Sequence, residues 1–75
     1  MRYLGSRIPN FIHKLNINKA TLQQLVLLPG IGTIIANRII DYRQRYGPFR
    51  NIEDLILKVG LHQKLVDRLS NQLEV

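Results

Sequence analysis

The stretch Leu25-Val26-Leu27-Leu28-Pro29-Gly30-Ile31-Gly32-Thr33 ends one helical pattern and opens another within a few residues. Proline has no N–H to give a helix interior, so the apolar run Leu25–Leu28 stops at Pro29. Glycines at 30 and 32 allow a positive φ, or an approach too close for a Cβ, where two helices are joined by so short a turn. Ile31, set between them, is expected to drop into the core and pin the turn. The turn leads straight into a second helix from about Thr33, whose first backbone N–H groups have no intrahelical partner. Those donors, with the positive end of the helix dipole, make a seat suited to a phosphate oxygen. The candidate binding set is therefore Leu28, Gly30, Ile31, Gly32, Thr33 and Ile34, with Arg38 along the exposed face and nearby Lys19 adding positive charge.

Upstream, Asn18 reads as the N-cap of a helix over Ala20–Leu27, with Leu22, Leu25 and Val26 on one face. Downstream, the second helix runs to Tyr46, with Ile35, Ala36, Ile39 and Ile40 as its apolar stripe and Asn37, Arg38, Asp41 and Arg45 pointing outward. Gly47-Pro48 stops it. Asn51 then caps a third helix, with Glu53 and Asp54 in the first turn and an end near Lys58. After Gly60 a fourth helix carries Leu61, Leu65, Leu69 and Leu73 at intervals of four, expected in the core. The two halves are weakly similar, which points to a duplicated unit. Every strong signal is helical: the predicted class is all-α, four to five short helices and no sheet. The first 14 residues stand apart, because Gly5 and Pro9 interrupt the spacing of Leu4, Ile8, Phe11 and Ile12. They are expected to form a basic segment, docked through Phe11 and Ile12 or flexible, ahead of a domain over residues 15–75.

Composition bounds the function. A chain of 75 residues makes one domain with a thin core, and without cysteine it has no disulfide or thiolate metal site to reinforce it. The net charge of +6 is unevenly placed. Residues 1–50 hold eight Lys or Arg against Asp41 alone, whereas residues 51–75 hold three against four acids. That asymmetry suits a polyanionic partner. The longest apolar run, Leu25–Leu28, is far below the roughly 20 residues of a membrane span, so a soluble cytoplasmic protein is expected.

The ordered series Asn16-Ile17-Asn18-Lys19-Ala20, Leu25, Leu28-Pro29-Gly30-Ile31-Gly32, Ala36, Arg38-Ile39-Ile40, Tyr42-Arg43, Gly47-Pro48-Phe49 and Glu53-Asp54-Leu55 resembles the DNA-binding domain of the ComEA competence proteins. The resemblance covers roughly residues 15–73. It implies a tandem helix-hairpin-helix fold of the SAM-like class that grips double-stranded DNA by its phosphate backbone, on the minor-groove side, without reading sequence. It also implies, more weakly, a monovalent cation held beside the phosphate by the carbonyls of Val26, Leu28 and Ile31. Two departures limit what transfers. ComEA proteins carry an N-terminal membrane anchor and linker of which these 75 residues show no sign, so capture of DNA at a cell surface is not expected. The second hairpin reads Gly60-Leu61-His62 where the family has Gly-Ile-Gly. His62 is expected to tolerate a left-handed backbone while its ring stands in the path of a phosphate, leaving Lys64 as that hairpin's obvious cation. The small extrinsic photosystem II subunit PsbU resembles this chain too, using the same architecture with degenerate hairpins to bind protein. A protein-interaction module or small subunit of a larger assembly is therefore the alternative, and attachment to a membrane surface is the least favoured of the three.

Catalysis and metal binding have little support. His13 and His62 lie far apart in sequence without clustered carboxylates, which argues against a metal site. A domain that commits nearly all its apolar side chains to one core has no room for a base-flipping pocket. Tyr42 and Tyr46 are expected to pack at the helix end under Phe49, itself a core plug, with stacking on nucleotides as the alternative. Arg43 and Arg45 are expected to solvate the end of the second helix, where the dipole favours cations.

Overall fold

A computed structural model describes residues 14–75; the expected docking of Phe11 and Ile12 lies outside them. Thr21, not Asn18, starts the first helix, because Thr21-Leu22-Gln23-Gln24 forms a capping box. The Thr21 hydroxyl accepts from Gln24 N–H at 3.1 Å, and Gln24 Oε1 accepts from Thr21 N–H at 3.0 Å. The helix, α1, is a single turn over Leu22–Leu25, shorter than the expected Ala20–Leu27. It tightens at once, with Leu27 N–H on Gln24 O and Leu28 N–H on Leu25 O. Asn18 is engaged elsewhere. Its side-chain amide donates to Phe49 O at 3.1 Å, and its Oδ1 accepts from Phe49 N–H at 2.6 Å. This two-way bond joins segments 31 residues apart and seats the Phe49 ring in the core, 3% exposed.

Helix α2 spans Thr33–Tyr46, the bounds expected of it. Ala36 and Ile39 are buried, Ile35 and Ile40 flank them, and Asn37, Arg38, Asp41 and Arg45 face solvent. Tyr42 lies between Tyr46, at 5.0 Å, and Phe49, at 4.8 Å. The third segment begins as read, with Asn51 Oδ1 accepting from Asp54 N–H at 3.1 Å and Asp54 Oδ2 accepting from Arg50 N–H at 3.0 Å. It continues as a wide π turn over Leu55–Val59, one residue past the expected end. There Gly60, at φ +89°, turns the chain so that Leu61 N–H reaches Leu55 O.

Helix α3 spans Gln63–Leu69, and a 3-10 turn follows over Ser70–Gln72. That turn ends the helix before Leu73, which is extended. The four-residue leucine row therefore breaks: Leu61, Leu69 and Leu73 are buried, but Leu73 belongs to a strand. Strand β1, Leu15–Asn16, and strand β2, Leu73–Glu74, pair in parallel, Leu15 opposite Leu73. The expectation of no sheet is corrected by this two-residue ladder, which the extended Leu73 makes possible; the class remains all-α. The halves repeat at a spacing of thirty. Leu25 and Leu55, Ile31 and Leu61, Ala36 and Val66, and Ile39 and Leu69 are buried in register.

Arg43 departs most from its reading as a solvated helix end. It is half-buried, and its guanidinium donates to Ile17 O at 2.9 Å and Ala20 O at 2.6 Å. Two carbonyls of the turn before α1 are thereby fixed to the last turn of α2. Arg45 only pairs with Asp41 at 3.1 Å on the exposed face, a contact of small worth. Charge-assisted bonds of the Arg43 kind contribute roughly 1.5–3 kcal/mol each at best. Arg43→Ala should lower Tm by about 10 °C, and Arg43→Lys should recover only part of it, since one ammonium cannot reproduce the planar fork. Thermal melting by circular dichroism checks this; an unchanged Tm would show the tie to be idle.

Candidate nucleic-acid interface

The hairpin between α1 and α2 is built by three residues with different duties. Ile31 is buried, 4% exposed, and its N–H donates to Leu28 O at 3.1 Å, which closes the turn. Gly30 holds φ +85°, a region that side chains rarely enter, and a Cβ there would stand 2.6 Å from Leu65 Cδ1. Gly32 is different. Its φ of −91° and ψ of −178° are extended backbone that any residue adopts, and a Cβ would meet nothing within 4 Å. The fold requires glycine at 30, and nothing in the described structure requires it at 32.

Above Gly32 the start of α2 is uncapped. Gly32 offers no side-chain bond, and the first helical bond is Ala36 N–H to Gly32 O at 2.9 Å. Among the described residues nothing accepts from the N–H groups of Gly32, Thr33, Ile34 or Ile35. Thr33 and Ile34 are exposed, Ile34 at 73%, as are Val26 and Leu27 across the turn. The result is a cluster of free donors on open backbone with an apolar rim.

The second hairpin has the same frame and a different ending. His62 is extended, at φ −69° and ψ 140°, so the left-handed tolerance expected of it is not used; Gly60 takes that conformation instead. The His62 Nδ1 accepts from Lys64 N–H at 3.1 Å. The imidazole therefore occupies the place an anion would take and caps α3 itself.

The surrounding cations are placed unevenly. Leu65 lies against Gly30, which sets α3 beside the first hairpin, and Lys64 is exposed at the start of that helix. Arg38 is exposed a turn into α2 and lines a groove with Lys58, Tyr42 and Tyr46. Lys19 is not brought to the hairpin. It lies in the turn whose Ile17 and Ala20 carbonyls Arg43 holds, at the far end of α2, ten residues or about 15 Å of helix from Thr33. The packing of α3 on Gly30 is something no local pattern records. The capping role of His62 was likewise hidden by the assumption of a left-handed turn.

A profile described as the helix-hairpin-helix motif matches residues 10–74. The chain belongs to the helix-hairpin-helix family. It is 37% identical over 60 residues to ComE operon protein 1 of Bacillus subtilis (strain 168), covering 80% of this chain and 29% of that protein. That agreement makes it a ComEA-like domain, small and all-α. It is also 38% identical over 71 residues to an endonuclease/exonuclease/phosphatase family domain-containing protein 1 of Rattus norvegicus, covering 95% of this chain. The mouse counterpart is 42% identical over 60 residues. The chain spans only 12% and 10% of those two proteins. A helix-hairpin-helix domain of this size corresponds to a small part of them.

Proposed function

We propose that this helix-hairpin-helix domain binds double-stranded DNA without sequence preference and without catalysis, seating a phosphate on the start of α2. The observation that carries the reading is the set of four N–H groups, Gly32 to Ile35, with no acceptor among the described residues and no Cβ over them. A phosphate oxygen supplies the missing acceptors, and charge-assisted bonds of this kind are about twice as strong as neutral ones. Exposed Leu27 and Ile34 are suited to lie against the sugars that flank that phosphate on the minor-groove side. Lys64 and Arg38 then contribute charge to neighbouring phosphates, and Lys19 reaches only a more distant part of the backbone. The carbonyls of Val26 and Ile31 accept no hydrogen bond among the described residues, which fits the hard oxygen donors a monovalent cation needs. With Leu28 O they would hold such an ion, whose charge would offset that of the phosphate. Because backbone amides on phosphates carry no base information, binding should be nearly indifferent to sequence.

The test is fluorescence anisotropy of a labelled random-sequence duplex over a range of salt. Contact with three to five phosphates gives a log–log slope of roughly −3 to −4.5. Absence of binding at low salt, despite the net charge of +6, would end the reading. The second hairpin offers a separate check. His62→Gly frees Lys64 N–H, costs only a few tenths of a kcal/mol as a cap, and should tighten duplex binding about five-fold by adding a phosphate seat. Unchanged affinity would show that the second hairpin faces away from the duplex.

A second reading, docking on a protein partner, draws on Leu27 and Leu57. These equivalent positions of the two halves are 81% and 75% exposed. Leu27→Ser with Leu57→Ser would weaken such docking and leave the salt slope on DNA unchanged.

A further inference from the structure

Helix α2 has 14 residues and its counterpart in the second half, α3, has seven. The extra two turns carry Tyr42 and Tyr46, and the position thirty residues after Tyr42 is Gln72. With buried Phe49 they form a stack of three rings: Tyr42 lies on Phe49 with 23° between the planes, and Tyr46 lies on Tyr42 at 38°. The inner rings are held by the core, and the outer one is 72% exposed. The stack is preordered and its last face is bare.

Two adjoining hollows share Tyr42, Tyr46 and Lys58. One extends to Arg38, the other to Arg50, so three cations lie along one groove with the ring at its centre. The groove also holds two acids, fewer than its three cations. Asp41 pairs with Arg45, and Asp54 accepts from Arg50 N–H. Among the described residues Arg38, Arg50 and Lys58 form no ion pair. From Arg38 to Tyr46 the groove follows eight residues of helix, about 12 Å.

We propose that this groove is a second nucleic-acid site, taking a single strand with one base stacked on Tyr46 and its neighbouring phosphates between Arg38, Lys58 and Arg50. A bare aromatic face flanked by cations is what a base and its backbone use, because every base offers a π face whatever its sequence. Acidic peptides are served by the cations alone and gain little from the ring, so the exposed stack is what selects the nucleic acid. The site does not depend on the uncapped backbone at Gly32, and the two fail separately.

The experiment titrates the protein into a fluorescein-labelled oligothymidylate of about 12 nucleotides, and into a duplex of equal length. Tyr46→Ala should weaken single-strand binding about ten-fold and leave duplex binding within about two-fold. Tyr46→Phe keeps the ring face and should bind like the parent. Gly32→Val should do the reverse of Tyr46→Ala, losing the duplex and keeping the single strand. Quenching of tyrosine emission, readable because the chain has no tryptophan, should accompany single-strand binding and vanish in Tyr46→Ala. The proposal fails if the parent does not bind the oligothymidylate, if Tyr46→Ala binds it equally well, or if Tyr46→Phe loses as much as Tyr46→Ala. It also fails if polyglutamate displaces the oligonucleotide at equal charge concentration, since the groove would then be a general anion surface.

Discussion

Gly32→Val should keep the fold and lose duplex binding by one to two orders of magnitude. The two halves of this expectation come from the same geometry. The backbone at 32 is extended and a Cβ there meets nothing within 4 Å, so valine brings neither strain nor overlap inside the protein. Replacing glycine also narrows the unfolded ensemble, which offsets valine's poor standing as a helix cap, and the net change in stability should stay within about 1 kcal/mol. A phosphate, by contrast, must approach the N–H groups of Gly32 to Ile35 through the space the new side chain fills. Losing even one charge-assisted bond costs roughly 1.5–3 kcal/mol, or about ten-fold to a hundred-fold in affinity. Anisotropy on a labelled duplex reads the loss, and a thermal melt on the same sample confirms the fold. Parental affinity in a folded Gly32→Val protein would remove the first hairpin from the interface.

Gly30→Val should instead destabilise the fold, and weaken DNA binding only as a consequence. At φ +85° a β-branched residue is a genuine outlier, with a backbone cost of about 1–2 kcal/mol. The side chain would also enter the space of Leu65, whose Cδ1 lies 2.6 Å from the Cβ position, adding about 1–3 kcal/mol of overpacking. A domain of roughly 60 residues has about 3–9 kcal/mol in total. Cooperative melting should vanish, or Tm fall by about 15–20 °C. Pairing Gly30→Ala with Leu65→Ala separates the two causes: the second change relieves the overlap and leaves the positive φ, so stability should return only in part. Full recovery would assign the whole cost to Leu65, and a normal melt for Gly30→Val would show the turn to be plastic.

Local patterns gave up the frame of this domain and withheld its ties. The α2 bounds, Ile31 as a buried pin, Phe49 as a plug and the duplication all follow from spacing and turn chemistry, which adjacent residues express. Thr21-Leu22-Gln23-Gln24 is legible in the sequence as a capping box, but Asn18 is an equally good cap by residue type. What decided between them was the bond from Asn18 to Phe49, and no window contains both. Arg43 and Leu73 were misread for the same reason. A guanidinium at a helix end and a leucine in a four-residue row have local readings, and distant carbonyls and a distant strand overrode them. At the candidate site the two glycines looked alike in sequence. Only the torsion angles and the space around each assign one to folding and the other to an approaching ligand.

The short ladder between β1 and β2 also sets how the domain carries load. Because the strands are parallel, a pull applied at Lys14 and another at Val75 act in opposite directions along neighbouring strands. The ladder bonds, among them Ile17 N–H to Glu74 O at 2.9 Å, are then sheared together and not unzipped one after another. Within a longer chain, tension passed from the segment before Lys14 to a segment after Val75 would be resisted first by this clasp, which makes a two-residue strand pair the mechanical fuse of the module.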